Sequence, residues 1–248
     1  MKKFEITHPM DNQMFLKAVS NAFEAFVESG TSRSTAKLKP LHGSIAQDIA
    51  IKLGNQYIVK SQGYGDDKEA SIGGRYMDKK VDITVEKKNI NGTMQVVAGI
   101  AVKFVMQNYS QNSNNYFENM LGETANIRSN RFPYFQIFII LDKLPYYRKN
   151  KTIKKWETFT SHNAKKYVIL SEDNADVYYH TPNKTLIYVV HVPDNEDLQT
   201  LQEYMDYYHL QSEGVEESLQ IFENIGSSVI INDWKQFLDK VYYTIKAI

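Results

Sequence analysis

An aspartate and a lysine that emerge from apolar, strand-like segments are the groups in this chain best placed to do chemistry. In Val81-Asp82-Ile83-Thr84-Val85-Glu86, alternation puts Val81, Ile83 and Val85 on one face and Asp82, Thr84 and Glu86 on the other. In Gly99-Ile100-Ala101-Val102-Lys103-Phe104, the residues Ile100, Val102 and Phe104 share a core face, and Gly99, Ala101 and Lys103 share the opposite one. A lysine beside two residues with almost no side chain is costly at a half-buried position unless a carboxylate answers it. Asp82 is the natural partner. Taken alone, the pair can equally be a structural ion pair between strands, or the lysine can carry its ammonium outward along the strand. The segment after Lys103 adds a second chemistry. Gln107, Asn108, Gln111, Asn112, Asn114 and Asn115, with Tyr109 and Tyr116, gather amides and phenols that can bond phosphate oxygens and base edges or stack on bases. A polar loop with helix-capping asparagines is the plainer explanation of the same residues.

These groups must be held by surrounding elements. Phe15, Ala18, Ala22, Phe23 and Phe26 recur at helical steps within 11–29, and Gly30 ends that helix before the polar loop Thr31-Ser32-Arg33-Ser34-Thr35. A second helix is expected over 41–53, with Gly54 as its stop. The period then changes. Strands are expected at 57–59, 70–76, 80–86 and 94–106, and Asn91-Gly92 marks a hairpin between the last two. A helix over 115–128 and a strand over 135–141 follow, the strand apolar on both faces as in the middle of a covered sheet. Farther on, 167–170 and 185–192 read as strands, and 197–210, 214–224 and 232–246 as helices. In the middle of the chain the second helix, the three strands 70–76, 80–86 and 94–106, the helix 115–128 and the return strand run helix, strand, strand, strand, helix, strand. That order implies an α/β (α+β mixed) fold with a central mixed β-sheet flanked by helices. It is expected to form one domain with its core at about 41–142 and helical additions at 1–30 and 194–248.

Asp82, followed 21 residues later by Lys103 in Ala101-Val102-Lys103 across a hairpin, resembles the PD-(D/E)xK nuclease superfamily, the fold of most type II restriction endonucleases. The run from Gly74-Arg75-Tyr76 through Val81-Asp82-Ile83, Val102-Lys103 and Asn115-Tyr116-Phe117-Glu118 to Gly122-Glu123-Thr124-Ala125-Asn126 resembles restriction-endonuclease-type proteins of similar length. The likeness is firmest over about 68–142. It implies a restriction-endonuclease-like fold and a Mg²⁺-dependent enzyme that hydrolyses phosphodiester bonds in double-stranded DNA. Asp82 would be a metal ligand, and Lys103 would orient water and stabilise charge on the phosphoryl oxygens. The chain departs from the family at Ala101, where a second acid is usual. Some members take that acid from the following helix, and Glu118 stands 15 residues beyond Lys103 where the replacement would come from, with Glu123 as the alternate and Glu69 as a further candidate ligand. Glu118 groups on the helical wheel with Leu121, Gly122 and Ala125, on or beside the expected buried face, and Glu123 with Tyr116, Met120 and Ile127. Gly122, a poor helix former, suggests close approach to that face. Gly99 and Ala101 would leave the carboxylate room. Arg75 and Arg128 are candidate DNA contacts, as is Arg131. Gln47 and Asp48 read better as a solvated helix face than as an acidic addition to the site. The basic run Lys149–Lys155 is a solvated turn or a phosphate contact in equal measure.

Composition removes other classes. The 29 basic and 29 acidic residues cancel, so bulk positive charge does not drive nucleic-acid binding, although a local basic cleft still can. With no cysteine, disulfides, thiolate zinc sites and cysteine nucleophiles are excluded. The six histidines lack an HExxH arrangement, no phosphate-binding glycine loop is present, and Ser44 and Ser161-His162 form no nucleophile elbow. With no signal-like or membrane-length apolar run, a soluble cytoplasmic protein is the expectation. Two other functions fit the same residues: a non-catalytic DNA-binding module in which the site has decayed at Ala101, and a nuclease of repair or junction intermediates. A restriction enzyme of palindromic sites would be expected to act as a homodimer.

Overall fold

The computed structural model describes residues 7–29, 38–193, 195–210, 215–218 and 229–248. The expected loop 31–35 and most of the expected helix 214–224 lie outside the described residues.

Helix α1 (Asn12–Ser29) and helix α2 (Lys39–Leu53) follow the predicted apolar stripes, with Pro40 in the first turn of α2 and Gly54 closing it at a φ of 81°. Strands β1 (Tyr57–Ser61), β4 (Ile83–Lys88) and β5 (Met94–Val105) form an antiparallel meander. Gly92, at a φ of 83°, makes the β4–β5 turn that Asn91-Gly92 predicts. Helix α3 (Tyr109–Arg128) then crosses over, and β6 (Tyr134–Leu141) returns parallel to β5. Strands β7 (Lys143–Tyr147) and β8 (Ile153–Thr158) form a separate antiparallel hairpin. Strand β9 (Lys184–His191) adds parallel to β6, and helix α5 (Leu201–Leu210) follows it. Along its other edge β9 carries β11 (Val229–Ile231) and the two-residue β10 (Glu216–Glu217). The result is a mixed central sheet flanked by helices.

The two faces of this sheet are dressed differently. Phe135 of β6 meets Phe237 of helix α6 (Trp234–Lys246), while Tyr188 of β9 meets Phe15 of α1 edge-on, and Phe15 stacks on Trp234 at 4.3 Å. The alternate residues of β6 face the other way. Tyr134 bonds Glu123 and Gln136 bonds Thr124, both on α3, and Phe138 packs on Tyr167 of helix α4 (Ser161–Glu172). Every residue of β6 is buried, so its continuous apolar run reflects a strand covered on both sides.

Four expectations are corrected. The segment 167–170 is helical, inside α4: Thr160 N–H donates to Asn163 Oδ1 at 2.9 Å, and helical spacing buries Ala164, Tyr167 and Leu170 while leaving Ile169 exposed. A four-residue apolar run does not by itself distinguish a buried strand from one buried helix face. The polar stretch 109–114 forms the first turns of α3 rather than a loop, anchored by buried Tyr109 and entered through Asn108 at a left-handed φ of 52°. Glu216 and Glu217 pair with β9 instead of beginning a helix. Asp48, expected on a solvated face, is fully buried on the α1–α2–α6 side, where Oδ1 accepts from Met10 N–H and Oδ2 from Trp234 Nε1–H, each at 2.7 Å. Separately, no described helix is long and apolar enough to cross a membrane.

Candidate active site

The expected strand 80–86 is broken at its aspartate. Strand β3 (Asp78–Val81) pairs with β2 (Ala70–Gly73) in a separate hairpin, so 70–76 is not one strand, and β4 begins at Ile83. Asp82 stands between the two ladders. Its carbonyl accepts from Ser61 Oγ–H at 2.8 Å, and its Oδ2 accepts from Val102 N–H at 2.7 Å. A carboxylate that takes a backbone donor from the neighbouring strand is fixed in place without a cation to hold it. Burial, reinforced by the field of Glu123, pushes its pKa up to about 6, while Val102 N–H, Lys103 and Lys79 pull it down.

Asp82 opens onto a cleft beneath α3 whose walls include Ala101, Lys103, Tyr116, Glu123 and Gln136. Lys103 lies at its mouth and is exposed as a residue, yet desolvation of the ammonium lowers its pKa, with the field of Asp82 opposing. Nζ sits 4.5 Å from the Tyr116 ring centroid, a cation–π contact. The lysine is therefore held over an aromatic face, while Asp82 is held by a backbone amide. Their coupling is through space, which separates the pair from the closed cross-strand ion pair that the residue types alone allowed.

Glu118 and Glu123 take opposite sides of α3. Tyr116, Met120, Glu123, Thr124 and Ile127 turn toward the sheet, whereas Glu118 is exposed and outside the cleft. Glu123 Oε1 accepts from the Tyr134 hydroxyl, and Oε2 pairs with Lys79 Nζ at 2.8 Å. The structure thus brings the alternate, Glu123, to Asp82. Glu69 is also elsewhere, accepting from Gln62 Nε2–H at 3.0 Å. Gly99 does not open space for a carboxylate: a Cβ there would stand 2.6 Å from Ile72 Cδ1 and 3.0 Å from the Tyr134 ring. Gly122 is not a point of close approach, since a Cβ there meets nothing within 4 Å. Gly122→Ala is accordingly expected to raise stability by about 0.5–1 kcal/mol in a denaturant titration, because alanine restricts the unfolded chain and suits an exposed helix interior.

Of the expected DNA contacts, two have structural tasks. Arg128 is buried and donates through Nη1 to Thr181 O at 2.5 Å and Tyr178 O at 3.2 Å. Asn108 exchanges bonds with the Tyr147 backbone, its Oδ1 accepting from Tyr147 N–H at 2.7 Å. Asn112 donates to Asn108 O at 3.2 Å, and Gln107 is partly buried. Gln111, Asn114, Asn115 and Arg75 are exposed.

Gln136, in register with Ala101 and largely buried, was not among the expected site residues. Its signal was present in the sequence as the lone polar residue in Tyr134–Leu141, where a buried amide demands a partner; Nε2 donates to Thr124 Oγ1 at 3.4 Å. Lys79 and Tyr134, which hold Glu123, carried no such signal. Elsewhere, His191 and Ser218 both bond Asp142, the Ser218 hydroxyl donating to its carboxylate at 3.0 Å.

Two carboxylates and an amide in one cleft offer hard oxygen donors of the kind Mg²⁺ accepts, and the field of Glu123 adds to the burial that raises the Asp82 pKa. Among the described residues no cluster of three or more His, Cys, Asp or Glu could enclose a metal, so a cation here would keep water or substrate oxygens in its shell. No family model matches the chain, and no curated protein matches it.

Proposed function

We propose that the protein is a Mg²⁺-dependent deoxyribonuclease of the restriction-endonuclease-like fold, acting on double-stranded DNA. The observation that carries this reading is the meeting of Asp82, Lys103 and Glu123 in one cleft, where the helix after the lysine strand crosses the meander. Within the central sheet the series α2, β1, β4, β5, α3, β6, with the β2–β3 hairpin inserted between β1 and β4 and the final strand parallel to β5, supports it as a mixed sheet flanked by helices. Asp82 and Glu123 would hold the cation, which in such sites polarises the scissile phosphate and raises the acidity of bound water. Tyr134 and Lys79 set the orientation of Glu123, and the Val102 amide sets that of Asp82. Ala101 leaves the floor of the cleft low beside them. The Lys103 ammonium, restrained over Tyr116, answers negative charge building on the phosphoryl oxygens. A homodimer would match a palindromic site.

The relocated acid provides the test. Plasmid DNA is incubated with Mg²⁺ and the wild type, Glu123→Gln or Glu118→Gln. Glu123→Gln is expected to lose about 10²-fold or more in cleavage rate, and Glu118→Gln to stay within about two-fold, as for an exposed position off the site. Equal losses in both would sink the assignment of Glu123. DNA binding by a wild type that takes up neither Mg²⁺ nor Mn²⁺ would favour a non-catalytic DNA-binding module instead.

A further inference from the structure

The β2–β3 hairpin is gripped along its length by one stripe of α3 and by the turn that follows the helix. Asn130 Nδ2 donates to Gly73 O at 2.7 Å. Asn126 O accepts from Arg75 N–H at 2.9 Å, its Oδ1 accepts from Tyr76 N–H at 2.9 Å and Met77 N–H at 3.3 Å, and its Nδ2 donates to Met77 O at 2.8 Å. Gly74 lies so close to the Asn126 amide that a side chain there would collide with it. One turn earlier, Glu123 pairs with Lys79. The hairpin backbone is therefore satisfied and fixed to the wall of the cleft. Its tip side chains are the reverse: Tyr76 is 74% and Met77 66% exposed, adjacent in sequence, with Arg75 and Lys80 also exposed beside them. The turn presents an aromatic and a flexible apolar side chain to water, with the Arg75 guanidinium 6.0 Å from the Tyr76 ring centroid, and neither side chain belongs to the core. Asp78 is the only acid in the run from Arg75 to Lys80.

We infer that this tip is a wedge that engages the bases of duplex DNA lying across the Asp82 cleft, Tyr76 and Met77 entering the base stack while Arg75 and Lys80 meet phosphates on either side. The inference rests on the nuclease reading for its substrate. Charge selects the partner class: basic residues bracket the apolar tip, and the hairpin is tied through Lys79 to a carboxylate of the site itself. Apolar wedges of this kind partly unstack a base step, and the cost is offset by contacts the bent duplex makes elsewhere. Tyr76 and Met77 make no core contact, so replacing them leaves the fold intact.

The experiment uses the full chain without divalent cation and a labelled mixed-sequence duplex carrying 2-aminopurine. Wild type is expected to bind, with a rise in 2-aminopurine fluorescence as bases unstack. Tyr76→Ala/Met77→Ala is expected to bind about ten-fold more weakly or worse, with no fluorescence rise. Its dependence of affinity on salt should match wild type, because the phosphate contacts remain. Tyr76→Phe should retain both binding and signal, since the ring does the work. Unchanged affinity and signal in the double variant would overturn the wedge while leaving the nuclease reading in place. A self-association that depends on Tyr76 and Met77, with no base signal, would also overturn it in favour of a second copy of the chain on this tip. Failure of the wild type to bind any duplex overturns both readings.

Discussion

Asp82→Asn is expected to abolish Mg²⁺-dependent cleavage and, without metal, to make the protein more stable at pH 8. On the proposed nuclease reading the loss of activity should be at least about 10²–10³-fold, as when a single group that stabilises developing charge is removed, because the variant lacks the carboxylate proposed to hold the cation. The gain in stability comes from the same burial. The Asp82 carboxyl is raised from 3.8 to about 6, which corresponds to about 3 kcal/mol of preference for its protonated form in the folded state. A carboxyl raised in this way favours the fold fully below the unfolded value of 3.8, and that contribution is lost as pH rises toward 6. The variant should therefore match wild type near pH 3.5, gain between pH 4 and 6, and hold its advantage above that. Weakening of the bond from Val102 N–H offsets part of the gain, leaving about 1–2 kcal/mol. Thermal melts across pH, with and without Mg²⁺, read this directly. Mg²⁺ should raise the melting temperature of wild type at pH 8 and leave the variant unmoved. A variant less stable than wild type at pH 8 would show that the carboxylate is a structural linchpin instead of a charge held in readiness.

Asp48→Ala is expected to cost about 2–4 kcal/mol of stability. The carboxylate satisfies two buried donors, Met10 N–H and Trp234 Nε1–H, and truncation strands both in the layer that joins α2 to α6. Trp234 is fully buried and stacked on Phe15, so it cannot turn to find water without breaking that stack. Asp48→Asn should fall between, since an amide offers one oxygen where two are used. Urea unfolding of the two variants checks the order. Burial also raises the pKa of Asp48, to about 6, against the two hydrogen bonds and the field of Lys52. Titration of its charge therefore disfavours the fold over the same window as Asp82, between about 3.8 and 6. The melts of Asp82→Asn thus need the wild-type background at Asp48, so that only one of the two groups is changed.

Local periodicity made much of the architecture legible. The β4–β5 hairpin with its Asn91-Gly92 turn, the crossover helix and the doubly covered strand β6 follow from patterns within a few residues. The strand expected over 70–76, in contrast, leaves the central sheet, and β1 takes its place beside β4. Asp82 stands near Lys103, but in the break between β3 and β4. The choice between Glu118 and Glu123 did not follow from spacing. A count of residues after Lys103 points to Glu118, but the apolar stripe through Tyr116, Met120 and Ile127 decides which side of α3 meets the sheet, and Glu123 lies on that side. Both acids neighbour apolar residues on the wheel, Glu118 beside Leu121 and Ala125, so the packing of α3 on the sheet makes the choice.

The remainder belonged to tertiary structure. Asp48 looks like one more polar residue on an amphipathic helix until Trp234, 186 residues away, closes over it. Lys79 and Tyr134 acquire meaning only where β3, β6 and α3 converge on Glu123. The sequence by itself determined the β4–β5 hairpin, the helix that follows it and the covered strand β6, and that Asp82 and Lys103 would lie near each other, since those depend on backbone period and the polarity of each side chain; the break that sets Asp82 between β3 and β4 was not visible there. Which carboxylate joins them, and which polar groups are buried and therefore matched, was decided by long-range packing, because burial and its electrostatic cost are set by neighbours far away in the chain.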